Sequence, residues 1–316
     1  MRRQRYMMVL IIFILMFAGC QANESNSEEV DSEEMDQLMI YTTIYPLEFL
    51  TEAIGGEYVK AESILPAGSD AHSFEPTSRM MVEIAEADLF IYNDDVSETY
   101  AVKIKEALSD ENVAYLEASA GLDRISYHHD HAHDEDDDHH DHGDYDPHVW
   151  LSPRLMEDLA EKILTELIEL APEQAAYFEE NYDQIVEQLT ELDSEFTEVV
   201  EAGIKDKILV THAAFGYWEH DYGLEQIAIT GLSATQEPSQ RELAYLIETV
   251  RELDIEYILF EQNIQPRVAE VIQEEAGLTD LQIHNLEVLT DEDLNSGEDY
   301  FSIMEKNIDV LREALN

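Results

Sequence analysis

Three histidines in separate segments have the residue type and the setting to bind a metal ion. His72, His148 and His212 are 76 and 64 residues apart, so only a folded chain can bring them together. Imidazole is the commonest protein ligand of zinc, and three imidazoles with one carboxylate fill a tetrahedral shell. The spacing therefore predicts a metal site built by tertiary structure, unlike a zinc finger that closes within one local loop.

Two of these histidines are predicted to follow strands. His72 comes after a predicted strand at 58–65 and a glycine-bearing turn. His212 directly follows a predicted strand at 207–211. Ligands of open parallel sheets bind in the crevice beyond the carboxyl ends of the strands. We therefore expect both imidazoles to lie in such a crevice, one in each half of the fold.

The other two candidate ligands are predicted at a turn and at a further strand end. His148 follows Pro147 and precedes a helix that starts at Ser152, so this turn restricts its direction. Glu287 lies just past a predicted strand at 281–283 and is the best-placed carboxylate for the fourth position. The predicted metal site therefore consists of His72, His148, His212 and Glu287.

Residues near these segments are assigned supporting roles. Asp70 and Glu75 are candidates to accept the second ring N–H of a ligand imidazole, which would fix its tautomer and direction. His220 is expected on an exposed helical face, and His284 in a surface or packing role.

Strand and helix patterns alternate through most of the chain. Apolar runs predict strands at 38–43, 58–65, 88–92, 113–116, 207–211, 226–229, 256–260 and 281–283. Amphipathic patterns predict helices at 46–54, 77–87, 97–108, 152–170, 239–253, 266–276 and 300–314. This order predicts an α/β fold with two lobes, each a mostly parallel sheet flanked by helices. Trp150 and Tyr217 are expected in the core between the lobes.

One long helix is predicted between the two series of elements. The segment from Glu173 to about Glu201 contains neither glycine nor proline, and a helix of about 29 residues spans roughly 43 Å. We expect it to join the lobes as a rigid strut, with a partner-binding coiled coil as the alternative. Its apolar positions cover too few heptads to favour self-association, so a monomer is expected. The predicted limits are 38–171 for the first lobe, 172–203 for the linking helix and 204–316 for the second lobe.

A low-complexity segment between Tyr127 and Asp146 is rich in histidine and aspartate. Because it has almost nothing apolar to bury, it predicts a solvated loop. Its imidazoles are expected to bind zinc, copper or nickel weakly, since binding must first order the segment. It could collect zinc and pass it on or sense it, or be dispensable. The histidines concerned are His128, His129, His131, His133, His139, His140 and His142.

The N-terminal residues have the pattern of an export signal. Three arginines among the first five residues precede an apolar run at 7–18 that is too short to span a bilayer. Cys20, the only cysteine of the chain, resembles the lipid-modified cysteine of bacterial lipoproteins. We therefore predict a lipoprotein signal peptide at 1–19 and an acidic tether at 20–37. A secretory signal with an incidental cysteine is the alternative.

The chain is strongly acidic, with a formal net charge of −55 at pH 7. Such a charge argues against nucleic acid and anionic membrane surfaces as direct partners. It would also concentrate cations nonspecifically near the surface. Adaptation of an exported protein to a salty or alkaline habitat is the explanation we favour.

Short motifs spread over the chain carry a resemblance to a known family. They are Gly68–Pro76, Asp146–Trp150, Thr211–Tyr217, Glu237–Ser239, Phe260–Asn263 and Asn285–Glu287. With the histidine-rich segment ahead of His148, the chain resembles the zinc-binding lipoproteins that serve bacterial ABC-type importers, within the zinc and manganese solute-binding family. The similarity runs from about residue 38 to the end.

The resemblance implies two α/β lobes joined by a long helix, with a metal ion buried at their interface. It implies that His72, His148 and His212 are ligands, and it supports Glu287 as the fourth. It also implies an extracytoplasmic Zn²⁺ receptor that delivers the ion to an ABC-type permease. We expect it to be anchored to the outer face of the cytoplasmic membrane, or to be periplasmic if the host has an outer membrane.

Three other functions are set against this interpretation. A manganese receptor of the same family would carry a carboxylate in place of His212, and nitrogen-rich shells favour zinc. A zinc-dependent exported hydrolase needs an open coordination position for water, which four protein ligands would not leave. The sequence also shows no His-Glu-x-x-His helix, so we expect no enzyme activity. A surface adhesin is compatible with the receptor and stays open.

Overall fold

Two four-stranded parallel sheets organise the chain in a computed structural model that describes residues 37–69, 74–126, 145–233 and 236–316. The first sheet has the strand order β2-β1-β3-β4. Its strands are β1 Leu38–Thr42, β2 Val59–Ser63, β3 Leu89–Tyr92 and β4 Ala114–Glu117. All four residues of β3 are buried, as is typical of a parallel sheet covered by helices on both faces.

The second sheet repeats this arrangement in the order β6-β5-β7-β8. Its strands are β5 Lys207–Val210, β6 Glu225–Ala228, β7 Tyr257–Glu261 and β8 Thr279–Ile283. In each sheet the first strand lies between the second and the third. The chain therefore adds its second strand on one side of the first strand and its third strand on the other side, so the direction of strand order reverses there. Such a reversal opens a crevice at the carboxyl ends of the two central strands, where ligands bind in this type of fold.

Helices cover both sheets and agree closely with the sequence prediction. They are α1 Tyr45–Gly55, α2 Ser78–Ala85, α3 Thr99–Ala107, α4 Pro153–Leu170, α5 Ala175–Ala202, α6 Gly216–Tyr222, α7 Gln240–Glu252, α8 Arg267–Ala276, α9 Asp291–Ser296 and α10 Tyr300–Ala314. The predicted two-lobed α/β fold is therefore confirmed, with element limits that agree within about two residues. No limits were predicted for helices α6 and α9, of 7 and 6 residues, because such short helices show no periodicity.

The long helix α5 joins the two lobes, as predicted. It begins at Ala175 rather than Glu173 because Pro172–Gln174 form a separate 3₁₀ turn. Helix α5 packs against α1 and α4 beside the first sheet and against α10 beside the second. Its buried stripe consists of Phe178, Ile185, Leu189, Leu192, Phe196 and Val199. Because this stripe is covered within the chain, the strut is confirmed and the coiled coil is not.

A buried segment at Val149–Leu151 connects the lobes through side-chain hydrogen bonds. The indole Nε1 of Trp150 donates to the carbonyl oxygen of Asn285 at 2.8 Å. The Tyr300 hydroxyl donates to the carbonyl oxygen of Trp150 at 2.8 Å. Trp150 and Tyr217 are both buried, which confirms the prediction that they belong to the core. Among the described residues, no helix is both long and apolar enough to cross a membrane.

Candidate metal centre

His148 lies in the turn that leads into the 3₁₀ helix Val149–Leu151. Its ring Nδ1 lies 2.7 Å from Oδ1 of Asp146, and its backbone N–H donates to the same oxygen at 3.0 Å. On the other side, the Trp150 indole packs edge-on against the imidazole, with the ring centroids 5.3 Å apart. The imidazole and the Asp146 carboxylate are both buried. The direction of the His148 ring is therefore fixed by a carboxylate and an aromatic neighbour.

His212 lies two residues beyond β5, at the crevice of the second sheet. Its ring Nδ1 is 2.6 Å from Oε1 of Glu261, the last residue of the neighbouring strand β7. The hydroxyl of Thr211 donates to the same oxygen, and Nδ2 of Asn285 donates to Oε2 at 2.8 Å. Strand order thus places a fully buried carboxylate directly behind the imidazole.

The electrostatics of this pair favour positive charge at His212. Burial opposes a charge on the ring, but the contact with Glu261 outweighs burial and raises the pKa of His212 above its ordinary value. Burial likewise opposes ionisation of Glu261, yet the contacts with His212, Thr211 and Asn285 hold its pKa below the usual range. Glu287 and Asp146 also raise the pKa of His212. The carboxylates around His212 therefore create a negative potential at its ring.

The Nε2 atoms of the two imidazoles lie close together. Nε2 of His148 and Nε2 of His212 are 3.4 Å apart. Since each Nδ1 donates its proton to a carboxylate, a neutral ring presents a lone pair at Nε2. Two Zn–N bonds of about 2.05 Å at the tetrahedral angle separate their nitrogens by roughly 3.3–3.4 Å. The His148–His212 pair therefore has the spacing of two ligands of one zinc ion.

Glu287 lies on a tight corner that follows β8. Its side chain is buried, its backbone N–H donates to Oδ1 of Asn285 at 3.1 Å, and its carbonyl oxygen accepts from the backbone N–H of Tyr45 at 3.0 Å. With Asp146 and Glu261 it makes a third buried carboxylate in the region of the two imidazoles. Charges interact more strongly away from water, so three carboxylates in one buried region would attract a cation.

The structure brings together part of the predicted ligand set. His72, Cys20 and the seven histidines between Tyr127 and Asp146 lie outside the described residues. The described ranges contain no group of three or more histidine, cysteine, aspartate or glutamate side chains in metal-binding geometry. What they do contain is the close His148–His212 pair. Glu287 as the fourth ligand, and the four-residue shell as a whole, stay predictions.

The carboxylates that orient the two described imidazoles were missed by the sequence interpretation. They are Asp146 and Glu261, whereas Glu75 is exposed and Asp70 lies outside the described residues. The signals were present, because Asp146 is two residues from His148 and Glu261 ends an apolar strand. The predicted surroundings were otherwise confirmed. His220 is exposed on α6, and the buried His284 ring accepts the Leu286 N–H at 2.9 Å, which is a packing role.

Replacing Glu261 by glutamine should weaken zinc binding by about 10- to 100-fold, the range found when partners of metal ligands are removed. Among the described residues three groups donate to the Glu261 carboxylate, so the glutamine NH₂ would remove the acceptor of at least one of them. Competition with a chromophoric chelator measures the affinity. The exposed Glu106, changed to glutamine, is the control and should leave affinity unchanged. Unchanged affinity in the Glu261 variant would contradict a role in orienting His212.

Comparisons with known proteins agree with this fold. The zinc-bound ZnuA-like domain of AdcA from Streptococcus pneumoniae has 34% identical residues and a TM-score of 0.74, over 88% of this chain and 99% of that domain. The fold is therefore that of the two-lobed metal-binding proteins. The chain also matches the family described as zinc-uptake complex component A, periplasmic (ZnuA), over residues 40–314. It belongs to the ZnuA family.

Two curated relatives cover different shares of their own length. The high-affinity zinc uptake system protein ZnuA of Bacillus subtilis is 31% identical over 315 residues, which are 97% of this chain and 96% of the relative. The zinc-binding lipoprotein AdcA of Streptococcus pneumoniae is 35% identical over 294 residues, 92% of this chain but 57% of the relative. The chain thus spans little more than half the length of the AdcA proteins.

Proposed function

We propose that this protein is an extracytoplasmic zinc receptor that delivers Zn²⁺ to an ABC-type permease for uptake. The observation that carries the proposal is the 3.4 Å separation of the two Nε2 atoms, with each ring held from behind by a buried carboxylate. In this proposal His72 and Glu287 complete a tetrahedral shell around the ion. The names of the relatives, a zinc uptake protein and a zinc-binding lipoprotein, support it.

The chemistry of the donors favours zinc over manganese. Manganese prefers oxygen-rich shells, whereas imidazole suits zinc. Three imidazoles and one carboxylate would also close the shell with protein ligands. A catalytic zinc needs a position for water, so the proposal is binding and delivery rather than catalysis.

A competitive titration with a chromophoric chelator tests the proposed function, with zinc and manganese run in parallel on the purified protein. We expect one tight zinc equivalent, no comparable manganese binding, and several weak zinc equivalents from the histidine-rich segment. Removing residues 127–145 should abolish the weak equivalents and preserve the tight one. If only weak zinc binding were found, and it disappeared with that segment, the three histidines would not converge and the receptor would be rejected.

The proposal includes a lipid anchor at Cys20 that holds the receptor on the outer face of the cytoplasmic membrane. The sequence around Cys20 and the lipoprotein relative support it. Changing Cys20 to alanine should move the protein from the membrane fraction to the soluble extracytoplasmic fraction. Fractionation followed by immunoblotting measures this shift. Membrane association that persists in the variant would mean that another segment holds the protein there.

A further inference from the structure

The Asn285 side chain contacts the backbone that carries Glu287. Its Oδ1 accepts the Glu287 backbone N–H at 3.1 Å and a hydrogen bond from Nε2 of Gln262 at 2.9 Å. Asn285 is 1% exposed, so water does not compete for these bonds. The side-chain oxygen of Asn285 therefore holds the backbone nitrogen of Glu287 in place.

The nitrogen of the same amide reaches the other side of the site. Nδ2 of Asn285 donates to Oε2 of Glu261 at 2.8 Å, while Oε1 of Glu261 holds the His212 ring at 2.6 Å. Only two hydrogen bonds thus separate Asn285 from the imidazole of His212. Since Glu261 is fully buried, its orientation depends on these few donors.

The main chain of Asn285 extends the connection to His148, the other described imidazole of the candidate site. Its carbonyl oxygen accepts the Trp150 indole N–H at 2.8 Å. The same indole packs edge-on against the His148 ring, with a centroid distance of 5.3 Å. Asn285 is therefore connected to His148, His212 and Glu287 by short paths of direct contacts.

The corner that contains Asn285 is held in an unfavourable backbone conformation. Leu286 has φ of +59°, in the left-handed region that a leucine rarely adopts. The Leu286 backbone N–H donates to Nδ1 of His284. The carbonyl oxygen of the next residue, Glu287, accepts the backbone N–H of Tyr45. Strain of this kind persists where surrounding contacts over-determine the geometry, and it concentrates at functional sites. The corner is thus built in advance of ligand binding.

We propose that Asn285 is a positioning residue that sets His212 and Glu287 relative to each other, so that this half of the metal shell is preformed; the proposal rests on the proposed zinc-binding function. This role requires a side chain of the length of asparagine that donates a hydrogen bond to Glu261 and accepts one from the Glu287 backbone N–H. Aspartate provides the acceptor but lacks the donor, and it places a second carboxylate against Glu261.

A pair of isosteric substitutions tests this role. Asn285→Asp removes the donor toward Glu261. Asn307→Asp is the matched control, because Asn307 is also 1% exposed and braces the same corner through two bonds to the backbone of His284, at 2.9 and 2.8 Å. Each substitution therefore removes one buried NH₂ donor and introduces one buried carboxylate. Only the carboxylate introduced at position 285 would lie beside Glu261.

Zinc affinity should fall by about 10- to 100-fold in Asn285→Asp and by less than about threefold in Asn307→Asp, because only the former removes a partner of a carboxylate that orients a ligand. Two spectra accompany the titration. The ¹⁵N signals of the His212 ring in the zinc-free protein should shift, and the visible absorption of the Co²⁺-loaded protein should change, in Asn285→Asp alone. Thermal unfolding measures the loss of stability in both variants.

Equal losses of zinc affinity in the two variants, at equal losses of stability, would show that Asn285 is only structural and would overturn the proposal. If Asn285→Asp does not fold, Asn285→Ser with Asn307→Ser as its match gives the same comparison without an added charge. Absence of tight zinc binding before any substitution would overturn the proposed function instead. The ¹⁵N signals of the zinc-free His212 ring would then decide the role of Asn285 by themselves.

Discussion

Replacing His212 by alanine is expected to weaken zinc binding by about 100- to 1,000-fold. Structural zinc sites with four ligands have apparent binding free energies of about 10–16 kcal/mol, or about 2.5–4 kcal/mol for each ligand. Each 1.4 kcal/mol corresponds to about a factor of ten. The variant also removes the 2.6 Å contact between the His212 ring and the buried Glu261 carboxylate. We therefore expect thermal stability to fall together with zinc affinity, even in the zinc-free protein.

The control for this experiment is another histidine of the same neighbourhood. His220 lies on α6 with its side chain 59% exposed, and its ring contacts the adjacent Asp221. Its replacement by alanine should leave the tight zinc equivalent and the melting temperature almost unchanged. Affinity is measured by chelator competition and stability by thermal unfolding in the presence of excess chelator. Comparable losses in the two variants would exclude His212 as a specific ligand.

The fold could be predicted from sequence because local pattern and global architecture agree. Buried strands such as β3 are continuous apolar runs, and the strut α5 repeats apolar residues every three or four positions. Parallel sheets then place the residues that follow their strands at one edge, which is how His212 could be assigned to a crevice. The limits of α5 could not be fixed, because a 3₁₀ turn and an α-helix have similar sequence patterns at their start.

The partners of the ligands could not be predicted in the same way. Glu261 lies behind His212 only because β7 pairs with β5, with Leu259 beside Val210. Glu261 and His212 are 49 positions apart in the sequence, and the sequence does not specify that β7 pairs with β5. Asn285 is a further 24 positions along the chain from Glu261. Sequence patterns identify residues whose side chains are suited to bind a metal. Which carboxylates and amides orient those side chains depends on strand order.

A buried acid near the first sheet gives the second large expected effect. Glu98 follows β3, is 4% exposed, and accepts the backbone N–H of Asn93 at 2.6 Å. Its other oxygen lies 3.1 Å from the hydroxyl of Tyr100. Burial raises the pKa of Glu98 to about 8, against an ordinary value of 4.5. The folded protein therefore holds a proton on Glu98 at neutral pH.

The sign of the resulting pH dependence follows from proton binding. Between pH 4.5 and about 8 the folded state keeps the proton on Glu98 and the unfolded state has lost it. The contribution to stability is therefore fully present below pH 4.5 and is lost as the pH rises through about 8. A difference of about 3.5 units corresponds to at most about 5 kcal/mol, at 1.36 kcal/mol for each unit.

Replacing Glu98 by glutamine should remove this loss, since glutamine keeps an acceptor for the Asn93 N–H and cannot ionise. We expect the free energy of unfolding of the variant, relative to the original protein, to increase by several kcal/mol between pH 5 and pH 9. Urea unfolding measures it, with a chelator present because bound zinc would add its own pH dependence. Glu106→Gln, at an exposed position of α3, is the control and should show no such increase.

Parallel stability curves for the Glu98 variant and the original protein would mean that Glu98 is ionised in the folded state. The carboxylate would then have to be stabilised by its bonds to Asn93 and Tyr100 strongly enough to offset its burial.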